Sequence, residues 1–115
     1  MKPISTKAIL RRWPGVSEDI DVVKEQFPER KCRFSYAREP LSLFAKVADD
    51  MRATYPLFPQ DKKRADKIIS MVSDGGKTWP IFVEADTLFI MEGRHRVVAF
   101  RAVQKDSLDV IYVAP

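Results

Sequence analysis

The chain has one cysteine, one histidine, four glycines and no long apolar run. A single thiol, Cys32, closes no internal disulfide, and Cys32 with His95 supplies too few soft ligands for a Cys/His metal site. No stretch approaches the roughly 18 apolar residues that a membrane-spanning helix needs, so no membrane partner is expected. Met1-Lys2-Pro3-Ile4-Ser5-Thr6-Lys7 lacks the apolar core and small-residue site of a secretory signal. These scarcities point to the cytoplasm. Internal repeats and low-complexity segments are also absent.

What is present suits a globular protein. A length of 115 residues, 45% of them hydrophobic, is enough to bury a core without metals or disulfides, and residues 1–115 read as a single domain. The net charge of +4 is uneven: ten basic and six acidic residues lie in 1–46, against ten and ten in 47–115. This basic N-terminal part suits DNA, a nucleotide or an acidic protein partner, and equally a solvated surface.

Hydrophobic spacing and punctuation give the elements. Residues 1–16 mix apolar and basic side chains and end in the turn Trp13-Pro14-Gly15. Ser17 is expected to cap a helix with Glu18 and Asp19 in its first turn, a buried stripe of Ile20, Val23 and Phe27, and a stop at Pro28. Residues 30–36 fit a strand or a basic loop. Pro40 suits the first turn of a helix carrying Leu41, Phe44, Ala48 and Met51. The prolines of Tyr55-Pro56-Leu57-Phe58-Pro59 break any helix there. Asp61 is expected to cap the next helix, with Ala65, Ile68, Ile69 and Val72 inward and Asp74-Gly75-Gly76 at its end. Pro80–Val83 and Thr87–Met91 predict a hairpin turning at Ala85-Asp86. A helix follows Glu92-Gly93 to about Gln104, and residues 109–113 form a closing strand. The fold class is α+β, a small mixed sheet packed with helices.

One helix start is anomalous. Helix N-termini carry partial positive charge and free N–H groups, and favour acids or hydroxyls. Here Arg94, His95 and Arg96 follow Gly93. A bound anion would reverse the penalty: the N–H groups would donate to it, arginine would pair with it, and glycine would let it approach. Lys62-Lys63-Arg64 repeats the pattern more weakly, as accessory phosphate or nucleic-acid contacts, and Arg11-Arg12 offers another basic pair. Trp13, Trp79, Tyr55, Phe58, Phe82 and Phe89 are read as core or loop anchors rather than stacking platforms. Cys32, beside Arg30, Lys31 and Arg33, would have a lowered thiol pKa if exposed.

Residues 55–113 resemble the ParB N-terminal domain and sulfiredoxin superfamily. The resemblance rests on the proline-containing lead-in Tyr55-Pro56-Leu57-Phe58-Pro59-Gln60, the helix from Asp61 to Ser73 followed by Pro80-Ile81, and Ile90-Met91-Glu92-Gly93-Arg94-His95-Arg96-Val97-Val98-Ala99-Phe100. Val110-Ile111-Tyr112-Val113 is similar to the family's terminal strand, with Asp109 where proline is common. Residues 1–46 lie outside it. The resemblance implies that Gly93, His95 and Arg96 contact the phosphates of a nucleotide, CTP in ParB and ATP in sulfiredoxin, with Glu92 beside them. Arg94 stands at sulfiredoxin's catalytic cysteine, so that thiol chemistry is not expected.

Three functions remain open. In an enzyme that hydrolyses or transfers a nucleotide phosphoryl group, or cleaves a phosphodiester as a nuclease does, Glu92 would act as a base or hold magnesium while the arginines neutralise charge. A non-catalytic module would bind DNA through its basic N-terminal part. A small regulator or inhibitor would use the fold to hold a protein.

Overall fold

The computed structural model describes residues 1–76 and 78–115. Its elements run β1 (Lys2–Ile4), α1 (Thr6–Arg12), α2 (Ser17–Glu25), β2 (Arg33–Pro40), α3 (Ala45–Thr54), α4 (Pro59–Ser73), β3 (Ile81–Glu84), β4 (Ile90–Glu92), α5 (Arg94–Ala102) and β5 (Ser107–Ala114). The class is α+β, with a mixed sheet ordered β1-β2-β5-β3-β4. β1 is antiparallel to β2, with Ile4 opposite Phe34. β3 is antiparallel to β4 and parallel to β5.

The N-terminal residues hold more structure than their mixed composition suggests. Ser5 opens α1 by accepting the Ala8 N–H at 3.1 Å, satisfying one of the helix's unpaired donors. A 3-10 turn at Pro14–Val16 leads directly into α2. Ser17 is therefore the first helical residue rather than the cap; Val16 stands at the cap and makes no side-chain bond. Pro28–Arg30 forms a tight turn, with Glu29 and Arg30 at φ 57° and 55°, and strand begins at Arg33.

Pro40 ends β2 instead of opening a helix. Leu41–Phe44 is a 3-10 turn, and α3 starts only at Ala45. The prolines at 56 and 59 separate α3 from α4, with Pro59 at the first helical position, where its missing N–H costs nothing. Asp61 does not cap α4. Phe58 occupies that place without a side-chain bond, and Asp61 lies in the first turn. At the other end Gly75 N–H bonds to Val72 O at 3.1 Å and Gly76 N–H to Met71 O at 2.9 Å, with Gly75 at φ 78°. This is a Schellman closure, and it requires glycine in the left-handed position. The hairpin's second strand is shorter than expected. Leu88 takes φ 61° and returns its N–H to Glu84 O at 3.0 Å; Glu84 N–H in turn bonds to Phe89 O at 2.8 Å, and regular strand begins only at Ile90.

The chain divides into two compact units, each discontinuous in sequence. One comprises Met1–Arg38, Trp79–Glu92 and Asp109–Pro115; the other comprises Glu39–Thr78 and Gly93–Leu108. In the first, Ile9, Val16 and Val23 from the N-terminal helical segment pack with Phe34, Phe82, Ile111 and Val113 of the sheet. Phe34 and Phe82 meet edge to face with centroids 6.2 Å apart. In the second, α5 packs on α3 and α4, and Leu41, Phe44, Ala48, Ala65, Val97 and Val98 are buried. Arg101 ties α5 to α3 through the Asp49 carboxylate and the Ala45 carbonyl. Among the described residues, no helix is long and apolar enough to cross a membrane.

The tryptophans act as anchors, as expected. Trp13 is buried, and the Trp79 ring lies against Gly15 so closely that a Cβ there would come within 2.6 Å of it. Gly15→Ala should lower unfolding free energy in urea by about 1–3 kcal/mol, the usual cost of overpacking. Adding Trp79→Phe, which removes the colliding ring atoms, should recover part of the loss. A Gly15→Ala protein as stable as the parent would show that the ring yields freely.

Candidate functional site

The start of α5 is built by backbone geometry. Gly93 stands at the cap with φ 104° and ψ 18°, in the left-handed region, and no side chain caps the helix. The first helical bonds run from Arg96 N–H (3.0 Å) and Val97 N–H (3.3 Å) to the Gly93 carbonyl. The N–H groups of Arg94 and His95 precede these bonds and have no intrahelical acceptor. No acid lies in the first turn.

His95 sits beside this opening. Its Nε2 is 3.5 Å from Asp61 Oδ1, and its Nδ1 is buried without a hydrogen-bond partner among the described residues. Burial pushes its pKa down from the ordinary 6.5; Asp61 opposes the shift, and the Arg64 and Arg94 charges add to it. The imidazole is therefore neutral at pH 7. Arg64 on α4 and Arg94 on α5 are both exposed, and both act on the same ring. The contact the structure shows across the two helices is Asp61 with His95, at the helix start formed by Gly93, Arg94 and His95. The structure does not gather the rest of the basic run in the same way. Lys62 is paired with Asp66 at 2.9 Å, one turn along α4, and Lys63 is exposed. Arg96 is half-buried in the first turn of α5.

Glu92 is the last residue of β4, half-buried and opposite Phe82. Among the described residues, no three His, Cys, Asp or Glu side chains gather as a metal site. A magnesium ion at Glu92 would take its remaining ligands from phosphate oxygens and water, which is how that ion commonly binds.

Arg11 and Arg12 part company. Arg11 is exposed in the last turn of α1. The Arg12 guanidinium lies 4.5 Å from the Trp13 ring centre and 4.8 Å from that of Tyr36. Tyr36 donates its hydroxyl proton to Asp109 at 2.6 Å, and Arg38 pairs with the same carboxylate at 3.1 Å. Asp109, where the resembling family commonly has proline, is the acceptor that joins these side chains.

The condition for a lowered Cys32 pKa, exposure, is not met. The thiol is half-buried against the core, and burial pushes its pKa up, with Lys24 opposing weakly. Its basic sequence neighbours do not activate it. The sequence also gave no sign that Asp61 would face His95, or that the Tyr55 hydroxyl would be buried without a partner. Both follow from tertiary placement, and the only local signal was the proline break itself.

A neutral native imidazole makes stability depend on pH. The unfolded chain protonates His95 near its ordinary value, while the native chain resists. The stability is complete above about pH 6.5 and is lost as pH falls toward the lowered native pKa. Between pH 7 and pH 5 the melting temperature of the parent should fall more steeply than that of His95→Asn. Equal slopes would mean that the imidazole titrates as freely in the native protein as in the unfolded chain.

No protein-family model, curated protein or solved structure matches the chain.

Proposed function

We propose that the chain is a small ParB/sulfiredoxin-like domain that binds a nucleotide, ATP or CTP, by its phosphates at the start of α5. The observation that carries this is the uncapped N-terminus of α5, opened by left-handed Gly93, with Arg94, His95 and Arg96 in its first turn and no acid there. Cations at a helix N-terminus are unfavourable in the free protein. A phosphate turns them into donors, adds the free N–H groups of Arg94 and His95, and meets the partial positive charge of the helix end. Gly93 in the left-handed region leaves the backbone open to it.

The order α4, β3, β4, α5, β5 supports the family resemblance, because the glycine turn falls between the hairpin and the helix. Chemistry would fall to Glu92, the carboxylate immediately before that turn. It would accept a proton from an attacking hydroxyl or water, or help hold magnesium on the phosphates. The exposed Arg11 is a weaker basis for a DNA-binding function, since its neighbour Arg12 is engaged with two aromatic rings.

ATP and CTP should each be tested for a rise in melting temperature, since a ligand that binds only the native state stabilises it by mass action. Arg94→Ala and Arg64→Ala should each weaken binding by about 10- to 100-fold, the range for losing a charge-assisted hydrogen bond. Binding that is unchanged in both variants would place the phosphate elsewhere. Glu92→Gln should keep binding and lower turnover by about 10²-fold or more, the range for losing a general base. A parent protein that, with magnesium, turns over neither ATP, CTP nor DNA would be a binding module rather than an enzyme.

A further inference from the structure

A second opening lies within the helical unit and is lined by none of the residues at the start of α5. It is a cleft of about 570 Å³ where the end of α3, one face of α4 and the middle of α5 meet. This size falls within the usual range for small-molecule sites. On α4 the face is Lys62, Ala65, Asp66 and Ile69, at spacings of three, four and seven. On α5 it is Val98 and Ala102, one turn apart. Ala65 and Ala102 leave the space that larger side chains would fill.

The polar groups of the cleft are not balanced among themselves. Lys62 and Asp66 neutralise each other at 2.9 Å. Among the described residues, the Arg52 guanidinium in the last turn of α3 makes no hydrogen bond or ion pair. The Tyr55 hydroxyl is buried and also lacks a partner. Burial and the charges of Asp61 and Asp66 raise its pKa, with Arg52 opposing, so it keeps its proton and remains a donor. Among the described residues, the cleft therefore carries one unpaired cation, Arg52, together with the apolar side chains of Ala65, Ile69, Val98 and Ala102. Its lining side chains sum to one positive charge.

We propose that this cleft is a binding site for a small carboxylic acid with an apolar, aryl or branched-alkyl body. The carboxylate pairs with the Arg52 guanidinium, and the body lies on Ile69, Val98 and the two alanines. A single negative charge matches the lining. A doubly charged phosphate would set its second charge against Asp66, which separates this site from the nucleotide site proposed above. The inference does not depend on that proposal.

The probe is phenylacetate, with the uncharged phenylacetamide as control, followed by ¹H–¹⁵N spectra and titrated affinity on the full chain. Phenylacetate should shift the amides of Ile69, Val98 and Ala102, and phenylacetamide should bind at least tenfold more weakly. Arg52→Gln should weaken binding at least tenfold. Ala102→Trp, at an exposed position on the cleft wall, should block it while the melting transition is retained. Arg94→Ala should leave phenylacetate binding unchanged. The proposal is overturned if phenylacetate shifts no amide at millimolar concentration, if Arg52→Gln and Ala102→Trp both bind it as the parent does, or if Arg94→Ala rather than Arg52→Gln abolishes binding.

Discussion

One residue, Gly93, precedes the first turn of α5, and it takes the left-handed conformation at φ 104°. A side chain there would be strained, because L-residues rarely adopt this conformation. Glycine at the cap brings no hydroxyl or carboxylate to the helix start, so α5 begins without a side-chain cap and its first side chain is an arginine. The open helix start on which the proposed phosphate site rests thus follows from a conformation that glycine adopts easily. His95 and Arg94 are carried along by that turn, and Asp61 and Arg64 are brought to them by the first two turns of α4.

The two units handle charge differently. In the sheet unit, Asp109 accepts from Tyr36 and pairs with Arg38, while the neighbouring Arg12 spreads over Trp13 and Tyr36. That cluster is satisfied within itself and adds packing as well as electrostatics, because an arginine over two rings buries its flat faces. In the helical unit the exposed pairs Lys46–Asp50 and Lys62–Asp66 are single helix-turn bridges of the kind worth a few tenths of a kcal/mol. Arg52, Arg64 and Arg94 stand outside such pairs. Unmatched donors next to a cleft and an open helix end mark where binding chemistry is to be sought.

The C-terminal half was readable because its boundaries are written in proline and glycine. Pro56 and Pro59 divide α3 from α4, Gly75 and Gly76 close α4, and Gly93 opens α5. Each acts locally, through a missing donor or a positive φ, and local effects survive in a single sequence. β1 was not readable. It is three residues long and acquires meaning only when Ile4 lies opposite Phe34 of β2. α1 was hidden for a related reason, since one residue, Ile9, is its whole buried face. The end of the hairpin was misjudged because Leu88, apolar and in the middle of an apolar run, turns left-handed. At the candidate site the arginines and the glycine were visible as a motif. The Asp61–His95 proximity and the Tyr55 cleft join residues far apart in the chain, and no spacing rule encodes them.

The strand order has a consequence for how the chain assembles during synthesis. β5 lies between β2 and β3, so β1 and β2 are joined to the rest of the sheet through a strand made after all four of the others. A ribosome that has released residues 1–106 has exposed two hairpin-like halves with no strand to bridge them, each offering unpaired edges to other chains. Sheet closure waits for residues 107–114, and it brings together contacts of high sequence separation, which form slowly. The helical unit faces the same delay in part, since α5 must be made before α3 and α4 have a partner. Nascent chains of this protein are therefore most exposed to mispairing in the interval before residues 107–114 emerge.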